Sequence, residues 1–186
     1  MSNPSPDNTK TTRLTRRETL PYRACAGVVV FNRQGQVFIG RRKGMASPHD
    51  AAWQFPQGGI NKGEPPQDAA LRELFEETSI HSVKLIATAP DWIFYDLPEH
   101  LLGKALKGKY RGQKQKWFAC LFEGNETEIN VLTPGGSKKN AEFDAWKWED
   151  LERVPDLIVS FKRAAYDEIV AAFRPVAHEL TAAPQD

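Results

Sequence analysis

The chain predicts an α/β fold in which a curled, mixed sheet is sandwiched between helices. Two amphipathic helical stretches lie among several short strand-like runs, with strands both before and between them. At 186 residues, with no internal repeat, the chain suits one domain with a single core. That domain is expected over 21–174, between a disordered N-terminal tail, 1–20, and a loose C-terminal tail, 175–186.

The elements follow in order. Residues 24–31 (ACAGVVVF) read as a buried strand, Asn32-Arg33-Gln34-Gly35 as a hairpin turn and 36–40 as the returning strand. A loop over 43–52 carries Gly44, Pro48 and His49, and Trp53-Gln54-Phe55-Pro56 leads into Gly58-Gly59. Pro65 and Pro66 sit where a helix N-terminus tolerates them. Ala69, Ala70, Leu71, Leu74 and Phe75 then recur at helical spacing, which predicts a helix over 66–78. Strands are expected at 82–88, 91–97 and 115–122, with an irregular, basic stretch over 99–109. A turn-rich loop, 133–140, precedes a short strand at 144–148. The last helix is expected over 156–173, turning Ile158, Val159, Phe161, Ala165, Ile169 and Phe173 inward.

Composition narrows the setting. No run of 18 apolar residues is present to span a membrane, and the polar N-terminus lacks the apolar stretch of a secretory signal. Cys25 and Cys120 each sit in an apolar run and are expected to be buried free thiols, which points to a reducing, cytoplasmic setting. A net charge of +1 argues against a bulk nucleic-acid binder while leaving local basic patches open.

The chemistry is concentrated in residues 58–80, GGINKGEPPQDAALRELFEETSI. On the expected helix, Glu73, Glu76 and Glu77 fall at i, i+3 and i+4, so their carboxylates share one face and repel one another. Two readings remain open at this level: a solvated acidic face, or a seat for a hard cation, for which oxygen-only ligands suit Mg²⁺ or Mn²⁺ better than zinc. Arg72 likewise reads either as an exposed partner of Glu76 or Asp68, or as a brace between carboxylates. Alternation places Lys114 and Lys116 on one strand face, either an ordinary charged edge or a grip for a polyphosphate. Phe161 is open between core packing and base stacking, and the Lys104/Lys107/Lys109/Arg111 run between a solvated loop and an RNA guide.

Spacing separates the first pair of readings. Gly58, Glu64, Arg72, Glu73, Glu76 and Glu77 stand at fixed intervals that would coincide by chance at roughly 10⁻⁷ to 10⁻⁸ per start position. This pattern resembles the Nudix box, with Ser79 where the box has its final Gly. A left-handed helix end is easiest without a Cβ, so a slightly strained or reshaped terminus is expected there. The flanking blocks WQFPQGGI, GQKQKWF, EFDAWKW and VSFKR, with Tyr22-Arg23 at the start, resemble one branch of the family over residues 22–173. That branch comprises RNA pyrophosphohydrolases and dinucleoside polyphosphate hydrolases.

The resemblance implies a Nudix-type α/β/α sandwich and metal-assisted cleavage of a phosphoanhydride. It implies Glu73, Glu76, Glu77 and Glu142 as catalytic, metal-binding carboxylates, with Mg²⁺ or a substituting Mn²⁺ as the ion. Gly58, Gly59, Glu64 and Arg72 would shape and brace the box, the glycines letting backbone approach the metal or a phosphate. Arg23, Arg42, Lys114, Lys116 and Phe161 would hold substrate, with Phe161 stacking a base in concert with Arg42. The expected substrates are 5′-triphosphorylated RNA, dinucleoside polyphosphates, or both, with no membrane partner. A non-catalytic nucleotide-binding module would have lost box glutamates, and none is lost here. The loops over 44–52 and 133–140 look longer than in shorter members of the branch and would lie near the substrate mouth.

Overall fold

The computed structural model describes residues 16–44, 52–136 and 141–182. Strand β1 (Tyr22–Phe31) runs through the middle of a mixed sheet. On one side it pairs in parallel with β7 (Gly112–Phe122), from Tyr22 opposite Gly112 to Phe31 opposite Leu121. On the other side it meets β2 (Val37–Arg42) and β4 (Gln57–Gly59), both antiparallel. β2 continues the sheet to β3 (Trp53–Gln54) and β8 (Phe143–Glu149), and β7 carries β5 (Val83–Thr88) and β6 (Ile93–Asp96).

Alternation along β1 and β7 divides the core into two layers. Val29, Phe31, Trp117 and Ala119 face helix α3 (Arg163–Ala182), where Ile169 and Phe173 are buried. Ala26, Val28, Val30, Phe118 and Cys120 face helix α2 (Pro66–Thr78), packing on Ala69, Ala70 and Leu74. Along Cys25–Phe31 and Trp117–Cys120 both strands are covered on both faces, which is why those stretches read as continuous apolar runs. The register sets Cys25 opposite Gln115 rather than Cys120. Both thiols are free and buried, and burial pushes their pKa values up to about 11 and about 12.

The last helix differs from expectation at both ends. The chain passes through 3₁₀ turns at Leu151–Asp156 and Ser160–Lys162, separated by extended Val159, and becomes α-helical only at Arg163. The helix then continues through Pro175 to Ala182, so residues 175–182 are not loose. Val176, Ala177 and Leu180 pack against the core there, which offsets the proline's missing N–H. At the other end, residues 1–15 lie outside the described residues, but Arg16–Thr19 forms a helical turn, α1. The Arg17 guanidinium pins it by donating to the Leu97 carbonyl at 2.8 Å and pairing with Glu99 at 3.1 Å. Phe75, expected on the apolar face of α2, is 43 % exposed and meets the His81 ring edge-on.

Candidate active site

The Gly58-Gly59 turn and the middle of α2 create the site together. Arg72 grips Glu64 with two parallel bonds, Nε to Oε1 at 2.7 Å and Nη2 to Oε2 at 2.9 Å. It also donates to the Glu73 carboxylate at 2.8 Å and the Gly59 carbonyl at 2.8 Å, and lies 3.5 Å from Glu76. A guanidinium fork suits that task, since its donors are fixed in a plane. The same fork holds the Glu64 carboxyl down to about pKa 2, helped by the Asn61 backbone N–H. Arg72 therefore braces loop to helix, and Asp68 is not among its partners.

The two glycines make room for side chains. A Cβ on Gly58 would collide with the Glu73 carboxylate, and one on Gly59 with the Arg23 guanidinium. The close approach is thus to the site's own carboxylate and arginine.

A cavity of about 510 Å³ opens on the α3 side of the sheet. Glu73 and Glu77 reach it from α2, and Glu142 reaches it from the residue before β8. Glu77 is 4 % exposed and accepts the Gln57 N–H at 3.2 Å. Burial first, then Glu142 and Glu73, raise its pKa well above the ordinary carboxylate range. Burial also raises the Glu73 pKa, against the pull of Arg72. Glu76 stands apart: its side chain is 47 % exposed, on the flank of the helix outside the cavity lining.

Cations line the same cavity. Arg23 enters from β1 and Arg42 from the end of β2, where a register shift between Arg41 and Arg42 re-aims the side chain while Asp144 holds Arg41 at 2.6 Å. Lys162 is buried in the cavity lining, with its ammonium 5.4 Å from the Tyr95 ring centroid. Burial, then Arg42, lower its pKa to about 8, against the pull of Glu142. Phe161 lines the cavity and also packs on Tyr95 at 5.8 Å. Gln54 lines the cavity too, and its buried Nε2 has no hydrogen-bond partner among the described residues.

Two expected residues fall elsewhere. Gln113 faces the cavity from β7, and parity turns Lys114 and Lys116 to the opposite face of the sheet. The Lys114 ammonium lies 5.3 Å from the Trp92 ring, and the Lys116 amine donates to the Ala89 and Pro90 carbonyls at 2.6 and 2.9 Å. The basic stretch before β7 contributes Leu101, Ala105 and Leu106 to the cavity as an apolar part of its lining, and its lysines are not in that lining. Residues 45–51 and 137–140, in the two long loops, lie outside the described residues.

A mixed sheet between helices, with carboxylates and cations lining one cavity, gives a charged site suited to a polyanionic ligand. Comparison with known proteins gives the family. The NUDIX domain matches residues 21–169, and the chain belongs to that family. Its relatives include an RNA pyrophosphohydrolase of Azorhizobium caulinodans, 53 % identical over 168 residues that cover 89 % of this chain and 100 % of the relative. Another RNA pyrophosphohydrolase, from Rhizobium meliloti, is 57 % identical over 160 residues, covering 84 % and 95 %. Among solved structures, the E. coli dihydroneopterin triphosphate pyrophosphohydrolase superposes with a TM-score of 0.57 at 22 % identity, covering 81 % of this chain and 98 % of that one. A C. elegans Ap4A hydrolase gives 0.55 at 20 % identity, covering 82 % and 98 %. These two likenesses show a shared fold.

Proposed function

We propose that the protein is an RNA pyrophosphohydrolase that converts a 5′-triphosphate RNA end to a 5′-monophosphate. The observation that carries this reading is the meeting of Glu73, Glu77 and Glu142 with Arg23, Arg42 and Lys162 in one cavity. A triphosphate repels an attacking water, and three cations in the cavity offset that charge as the strand docks. Close relatives bearing the name RNA pyrophosphohydrolase support RNA as the molecule delivered.

Among the described residues, no three His, Cys, Asp or Glu side chains already stand together as a formed metal site. The donor set nonetheless fits a hard divalent cation. It is all carboxylate oxygen, and Glu77 is buried against Glu142 and Glu73, so three like charges crowd one place. We assign Glu73, Glu77 and Glu142 to Mg²⁺, with Mn²⁺ able to substitute, and Glu76 to the cluster's exposed flank. When bound, such an ion neutralises phosphate oxygens and acidifies a water.

The chain's own residues do the rest. Arg72 and Glu64 keep the α2 carboxylates in place. Arg23, Arg42 and Lys162 hold the phosphates, Phe161 and Arg42 flank a base, and the Gln54 amide supplies a donor to the nucleotide. A cavity carboxylate takes the proton of the attacking water as its oxygen bonds to phosphorus. The anhydride bond between the α and β phosphates breaks, and pyrophosphate leaves. The cytoplasm is the assigned compartment. Among the described residues no helix is long and apolar enough to cross a membrane.

The test is a parallel assay with Mg²⁺ on 5′-triphosphate RNA and on diadenosine tetraphosphate. We expect the higher kcat/KM on RNA, with monophosphate RNA and pyrophosphate as products. Turnover confined to the dinucleotide would overturn the assignment.

A further inference from the structure

Lys114 and Lys116, turned away from the cavity, belong to a second surface. The β1–β7 register places Tyr22 beside Gly112 and Ala24 beside Lys114, and β6 sets Phe94 opposite Lys114. Parity then puts Tyr22, Phe94, Lys114 and Lys116 on one face, joined by Trp92 two residues before Phe94.

Their side chains form a strip in which cations and rings are interleaved. The Arg111 guanidinium lies 4.9 Å from the Tyr22 ring centroid, and Tyr22 meets Phe94 edge-on at 5.1 Å. Lys114 lies over Trp92, and Lys116 follows on the same strand. Helix α2 covers this face only farther along, over Ala26, Val28 and Phe118. Phe94 is left 48 % exposed. Arg111 is already neutralised by Asp96 at 3.0 Å. Neither lysine takes part in an ion pair among the described residues.

We propose that this strip binds the single-stranded body of an RNA whose 5′ end occupies the cavity. The proposal rests on the RNA reading of the site above. Ring faces accept stacked bases of any sequence, and ammonium groups that no carboxylate neutralises follow a phosphate backbone. A protein partner is the poorer match, because lysine is depleted at the core of protein interfaces. The same strands present Arg23, Gln113 and Tyr95 to the cavity on their other face. The two surfaces are the two faces of the same strands, so an RNA that joins them passes around the outer edge of β6, which pairs with β7.

Phe94→Ala, Trp92→Ala and Lys114→Gln would be assayed on a triphosphorylated dinucleotide and on a triphosphorylated RNA of about 20 nucleotides, beyond the site size of one single-strand-binding fold. KM for the long RNA should rise about 5-fold or more for each aromatic variant, the lower end of what one lost stacked base costs. Turnover of the dinucleotide should stay within about twofold, too small a change for a lost stack. Lys114→Gln should also flatten the salt dependence on the long RNA alone. Equal losses on both substrates, or no loss on the long one, would overturn the proposal, and the latter would leave the face to a protein partner. If the wild type cleaves neither substrate, the catalytic reading fails on its own. The strip is then judged by fluorescence anisotropy with 5′-hydroxyl RNA. Weaker binding by Phe94→Ala would sustain it, and unchanged or absent wild-type binding would overturn it.

Discussion

A single carbon atom separates a working Gly58 from a displaced Glu73. Adding a Cβ there strikes the far end of a flexible side chain, which can move at little cost to the fold. Gly58→Ala is therefore expected to leave Tm within a few degrees, a change below about 1 kcal/mol, while kcat falls at least about tenfold. Differential scanning fluorimetry beside steady-state kinetics checks both. Phe161→Ala is expected to behave similarly but through substrate: the ring lines the cavity and is only half-buried against Tyr95. KM for RNA should rise about 5-fold or more, as for a lost base stack, with a smaller effect on stability. A large drop in Tm with unchanged constants would mark it as core alone. That Glu73, Glu77 and Glu142 share one cavity with Arg23 and Arg42, braced by Arg72, was legible in the sequence, because the box fixes their order and the flanking blocks point to one site. Helical spacing alone gave no sign that Glu76 would fall outside it. Lys162 and Gln54 were not legible. Their burial in the cavity depends on the 3₁₀ turn at Ser160–Lys162 and on the β2–β3 pairing, neither of which leaves a periodic signal.

At the scale of elements, α2 and its brace carry the clearest consequences. The helix ends at Ser79 in the left-handed region, φ 64°, with its N–H donating to Phe75 O at 2.9 Å. Its hydroxyl accepts the Gly135 N–H at 3.0 Å, tying the loop after Asn130 to the helix. The left-handed backbone costs about 1 kcal/mol and the hydrogen bond returns about the same. Ser79→Gly should thus be nearly neutral, while Ser79→Ala, which keeps the cost and loses the bond, should be less stable by about 1 kcal/mol in urea denaturation. The brace gives a pH signature. Glu64 titrates near 2 when folded, below its ordinary 4.5, so its contribution is complete above 4.5 and is lost as pH falls toward 2. The Tm gap between wild type and Glu64→Gln should be constant from pH 7 to 5 and shrink below 4.5. A gap that widens on acidification would contradict the brace. Periodicity revealed α2 because its apolar face is regular. It misplaced the last helix because Ile158, Val159 and Phe161 are buried or half-buried by extended and 3₁₀ chain, which mimics helical spacing over a few residues.

For the whole molecule, the sheet decides what the sequence could state only in part. Alternation showed that Lys114 and Lys116 share a face, yet which face meets the site follows from the parallel β1–β7 pairing, a contact between distant segments. The sandwich itself was legible from doubly apolar strands set among two amphipathic helices. With the cavity on one side of that sheet, everything rests on the carboxylates that line it. The most direct test is Glu77→Gln, which removes one charge with almost no change in volume, assayed on 5′-triphosphate RNA with Mg²⁺ beside a thermal melt. A folded variant with kcat reduced at least about a hundredfold, some 3 kcal/mol in the barrier, is the expected result. A folded variant that turns over at a near-native rate would contradict metal-assisted cleavage at this site.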